Sequence, residues 1–203
     1  METTLIPARQ VTANTPPANG AIVAHPVVGY ALQTVFTISC SDWVGVDGVL
    51  LVYGISFLTS LGTWVALQHN NTSNTHTTVL PLGYNLTVAC TVGDGVSASS
   101  ATATISSMMD ETEDNLGIID DTVALINERS SYVDSITLIA ICAETLNSLE
   151  IDETRGDLVA RRRTLLELAL NATTILTANQ TTGLASSIVD TSAETLEVRV
   201  ILA

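Results

Sequence analysis

A change of period near residue 107 constrains this chain more than any single motif does. Upstream, residues 20–105 read as short strands. "ALQTVFTISC" alternates, with Phe36, Ile38 and Cys40 on one face, and "VLLVYGISFL", "TWVALQ", "HTTVLPLG", "YNLTVACTV" and "VSASSATATI" follow. Turn material such as "DG", "NNTSN" and "GDG" divides them, and strands rich in Val, Thr and Ile at this spacing predict a β-sandwich. Downstream the period becomes helical. "MMDETEDNLGIIDDTVALINE" sets Met109, Leu116, Ile119, Val123 and Ile126 near one face, with acids crowding the first turn. "SYVDSITLIAICAETLNSL" continues with Ile136, Ile139, Ala143 and Leu146. In "DETRGDLVARRRTLLELALNATTIL", Asp152 is placed to cap a helix striped by Leu158, Leu165, Leu168 and Ile175. Residues 192–203 read two ways, as a helix capped by Ser192 or as the strand "LEVRVILA".

The cysteines belong to this pattern. Cys40 shares its face with Phe36 and Ile38, and Cys90 shares parity with Leu86 and Val88. Both thiols therefore point into one core, at the separation that joins the two sheets of immunoglobulin-type sandwiches. Either they form that bridge or they are two buried free thiols, since cysteine is commonly buried anyway. Trp43 then covers the edge of the core, and Cys142 is left over on a helix. The expected fold class is α+β: an N-terminal Ig-like antiparallel β-sandwich followed by a C-terminal α-helical bundle. Residues 1–17 form an extended arm or linker, 18–106 the sandwich and 107–203 the helical domain.

Charge excludes some partners. The chain has 21 acidic against 7 basic residues, a net charge of -14 and no lysine. Nucleic acid and anionic membrane need a positive surface, so neither is an expected partner. The longest apolar run, "VLLVYGISFL", is about half of the roughly 20 residues a membrane span needs. "METTLIPARQ" lacks the basic start and hydrophobic stretch of a signal peptide. Yet Asn70, Asn71, Asn85, Asn171 and Asn179 each open an Asn-x-Ser/Thr acceptor pattern. Thr-rich sequence generates such triplets by chance; five of them point to a secreted glycoprotein cut from a longer precursor. Asn85 has the parity opposite to Leu86 and Val88, so it faces outward.

No arrangement of catalytic residues is expected, so the chain reads as a non-enzyme without a cofactor or metal. His69 and His76 flank "NNTSNT" in a loop without a third ligand, and no G-x-S-x-G elbow is present. "DETED" lacks the oxygen spacing of an EF-hand loop. Asp47 and Asp94 precede glycines as turns prefer, with calcium at one end of the sandwich as a minor alternative. Of Arg161 to Arg163, at least one is expected to clamp a carboxylate on a neighbouring helix.

The run from "PPANGAIVAHPVVGYALQTVFTISCSDW" to "LPLGYNLTVACTVGDGVSASSATATI" resembles the REJ (receptor for egg jelly) module of polycystin-type ectodomains. The resemblance rests on Gly20, Pro26, Phe36, Cys40, Trp43, Leu51, Tyr53, Leu80, Pro81, Gly83, Asp94 and Gly95. Gly45 stands where the pattern has an acid, and Leu50 where it has proline. The resemblance implies a modular, non-catalytic region of a large ciliary, flagellar or gamete surface protein. The leading expectation is a structural or adhesive module whose partners are neighbouring domains or copies, with Leu5, Ile6 and Val11 of the arm joining copies into a filament. The alternatives are a fragment that recognises glycan or protein, and a calcium-dependent adhesion module.

Overall fold

The sequence "FTISCS" buries every second residue. Phe36, Ile38 and Cys40 are at most 1% exposed, while the intervening residues are half-buried. One face thus meets a core and the other remains partly open, which is why the alternation was legible. The computed structural model describes residues 14–46, 48–110, 114–128, 132–149 and 156–178.

Eight strands precede three helices among these residues. They are β1 (Ala21–His25), β2 (Val28–Tyr30), β3 (Phe36–Ser41), β4 (Val52–Leu58), β5 (Trp64–Asn71), β6 (Thr75–Thr78), β7 (Gly83–Gly93) and β8 (Ala98–Met108). The helices are α1 (Asn115–Glu128), α2 (Tyr132–Ser148) and α3 (Gly156–Ala178). Strands β1-β3-β6 form one sheet and β2-β8-β7-β4-β5 the other. The pairing is antiparallel except between β2 and β8, which run parallel. The expected wholly antiparallel pattern is corrected at this point. The chain leaves the first sheet after β1, where Pro26 has no N–H to extend the ladder, and β2 joins the far edge of the second.

Two further turns have local causes. Between β7 and β8, Asp94 accepts from the amides of Val96 (2.9 Å) and Ser97 (2.7 Å), and Gly95 takes the positive φ of 85°. Between β5 and β6 the chain changes sheet. Asn71 Oδ1 accepts from Ser73 N at 2.8 Å, and Gln68 Nε2 donates to Ser73 O at 2.7 Å. His69 and His76 therefore lie on strands of different sheets rather than in one loop, a second correction.

Strand β8 continues to Met108, past the expected boundary at 106, and Met109 lies outside the helix assigned to it. Helix α1 starts at Asn115, where Asp114 Oδ1 accepts from Leu116 N at 3.2 Å as an N-cap. The expected acid-rich first turn is absent from α1; the described acids, Asp110 and Asp114, precede it. The proposed cap at Asp152 and the ambiguous segment 192–203 lie outside the described residues.

Helix α2 is the centre of the molecule. Every residue from Ser135 to Leu146 is buried. One side meets β5, and the others meet α1 and α3. A helix covered on all sides has no polar face to display, so its sequence is apolar nearly all round. A single buried cluster runs from Phe36, Ile55 and Val88 of the sheets through Ile139 and Leu146 to Leu158 and Leu165 of α3. Helical and sheet parts thus share one core.

Candidate functional site

The Cys40 and Cys90 sulfurs are bonded at 2.09 Å, with Cα atoms 6.0 Å apart. Because Cys40 lies on β3 and Cys90 on β7, the bond ties the two sheets together among Phe36, Ile38, Val88 and Val92, each with no exposed surface. Cys142 is free and buried in α2, and desolvation pushes its thiol up to about 12. The thiolate is the reactive form, so burial disfavours reaction at this cysteine in the folded chain.

Trp43 lies against this core from the end of β3, half-buried, with its ring over Gly20. Ala18 and Val44 exchange both backbone hydrogen bonds at 2.9 Å and hold the two segments together. Upstream, Pro17 is buried, and Asn14 Nδ2 donates to Asp94 Oδ2 (2.9 Å) and Ser97 Oγ (2.7 Å). The hydrogen bond from Asn14, then those from the Ser97 and Val96 amides, hold the Asp94 carboxyl down to about 2. The end of the supposed arm is therefore packed on its own hairpin. Residues 1–13 lie outside the described residues.

Four of the five acceptor asparagines are placed, and all four are exposed: Asn70 and Asn71 at the end of β5, Asn85 near the start of β7, and Asn171 on α3. Asn70 and Asn71 thus sit at a strand end rather than within a loop. The β7–β8 register shifts between Gly83 and Leu86, which frees the Asn85 segment from the ladder. Asn179 lies outside the described residues.

The charged groups sort by neighbour. Arg161 grips Asp120 of α1 bidentately, Nε to Oδ1 at 2.7 Å and the second nitrogen to Oδ2 at 2.5 Å, which is the expected interhelical clamp. Arg163 pairs with Glu167 on its own helix. Arg162 is buried on the stripe of Leu158, Leu165, Ala169 and Ala172. Glu144 is 2% exposed; its Oε1 accepts from Ser60 N at 2.5 Å, while Oε2 has no partner among the described residues. Neither burial was foreseen. A signal existed for each: Glu144 interrupts an apolar run on all sides, and Arg162 falls on the stripe of its helix.

Burial lowers the His76 pKa, with Asp134 partly opposing the shift. Among the described residues no three potential ligands gather for a metal ion. Asp47 lies outside them, and the oxygens of Asp94 are already engaged in its turn.

These features define a disulfide-joined, two-sheet module closed by a helical layer. Comparison with curated proteins gives no match. The family model for the REJ domain matches residues 8–137, and the chain belongs to that family. The match ends inside α2, ahead of Ile139, Leu146 and the other α2 residues that complete the shared core.

Proposed function

We propose that this chain is a non-catalytic structural module of a secreted, N-glycosylated surface assembly, an Ig-like β-sandwich with a helical bundle from a polycystin-like ectodomain. The carrying observation is the exposure of Asn70, Asn71, Asn85 and Asn171 on a chain whose sheets are joined by a disulfide. Disulfides persist in oxidising compartments, where N-glycans are also attached. Family membership supports the same setting, at the surface of a cell or cilium. In this reading the module has no cofactor and acts through neighbouring domains or copies. Intact mass before and after enzymatic deglycosylation tests it. Material from the native source with every acceptor unmodified would sink it.

A narrower reading concerns assembly. Strands β1 and β2 are edges of their sheets, and Val23, Val27, Val28 and Tyr30 along them are exposed. An open edge can accept an extended segment from another chain. Residues 1–13, with Leu5, Ile6 and Val11, supply such a segment. Electron microscopy distinguishes regular filaments from the dispersed particles expected of a fragment that recognises glycan or protein.

A further inference from the structure

Asn85 and Glu144 border the same cavity, about 210 Å³ in volume, at the seam between α2 and the sheets. The volume is far above the roughly 10–15 Å³ that admits one water. Leu58 and Leu86 give it apolar walls; Ser60 and Ser148 give it hydroxyls. Glu144 holds the seam: its Oε1 accepts from Ser60 N at 2.5 Å, a bond that joins α2 to the turn after β4.

We propose that the first N-acetylglucosamine of a glycan on Asn85 occupies this seam and acts as an intramolecular clamp between α2 and β7. The inference rests on the glycosylation reading given above. In the linkage, Asn85 Nδ2 bonds to C1 of the sugar, losing one proton and displacing the lipid pyrophosphate of the glycosyl donor. An Asn85 side chain on the cavity rim places that ring beside the seam without a long tether. The chemistry of the walls suits it. A pyranose has one apolar face for the leucines, and hydroxyl and amide groups that can pair with the Ser60 and Ser148 hydroxyls on the wall. The glycan is thus a structural part of the helix–sheet junction as well as a surface coat.

The test uses the full chain secreted from a glycosylating eukaryotic host. Its Asn85 glycan is left intact, trimmed enzymatically to one N-acetylglucosamine, or removed after folding. An Asn85→Gln variant provides a state without the aspartate that removal leaves. Hydrogen exchange is read at α2 and at the Ser60 amide. The intact and trimmed forms should exchange alike. Removal and Asn85→Gln should both speed exchange there by about tenfold, the scale of one net hydrogen bond. Asn171→Gln should leave it unchanged. Equal exchange in all forms, with mass spectrometry showing Asn85 occupied, overturns the clamp but leaves glycosylation standing. An unmodified Asn85 overturns the clamp through its premise.

Discussion

The indole of Trp43 lies so close over Gly20 that a Cβ at position 20 would fall 1.9 Å from Cδ2 and 2.1 Å from Cε2. Glycine is required there by contact, and its φ is not what matters. The residue ahead of β1 and the second residue past β3 are thereby matched in shape, with the Ala18–Val44 bridge beside them. Gly20→Ala should displace the ring and destabilise the chain by about 1–3 kcal/mol. In the double variant with Trp43→Ala the clash is gone, so the two costs should fall short of additive in urea denaturation.

Reduction of Cys40–Cys90 should cost more. The bond closes a loop with a sequence separation of 50, for which the chain-entropy model gives about 4 kcal/mol. Denaturation midpoints with and without reductant measure it. Under native conditions Cys142 should stay unlabelled by an alkylating reagent, because it is buried and its thiolate is disfavoured.

Acid should expose the role of Asn14. The folded Asp94 carboxyl, held at about 2, binds protons less readily than in the unfolded chain, where 3.8 is the ordinary value. Its contribution is therefore complete above pH 4 and fades as pH falls through 4 towards 2. Asn14→Ala removes the hydrogen bond that most lowers this carboxyl, so the Asp94 titration should move upward. Carboxyl NMR titration of both forms checks the direction.

Truncation tests the packing of the chain ahead of β1. Deleting residues 1–17 should lower the melting temperature, because Pro17 is buried and Asn14 bonds to Asp94 and Ser97. A melting temperature equal to that of the full chain would show that this contact carries no stability.

Helix α3 offers a test of burial against charge. Leu165 has no exposed surface, so Leu165→Ala should cost about 2–5 kcal/mol. Arg163 pairs with Glu167 one turn on, and both side chains are well exposed, so Arg163→Ala should cost at most about 1 kcal/mol, less at high salt. Urea denaturation at two salt concentrations compares them.

What the sequence by itself determined were the elements with one buried face. Phe36, Ile38 and Cys40 alternate because β3 has a core side and an open side, and parity alone brought Cys90 to the same core. Ile119 and Ile126 mark α1 for the same reason. The tertiary structure decided what periodicity cannot carry. The parallel pairing of β2, only three residues long, depends on an edge supplied by β8. The central position of α2 depends on neighbours covering every side, which erases the polar face that would have located it. The Asn14–Asp94 contact joins residues 80 apart, and the Glu144–Ser60 contact joins residues 84 apart. A local pattern states which face of an element avoids water. It does not state which distant group will cover that face, and the sharing of one cavity by Asn85 and Glu144 follows only from the packed chain.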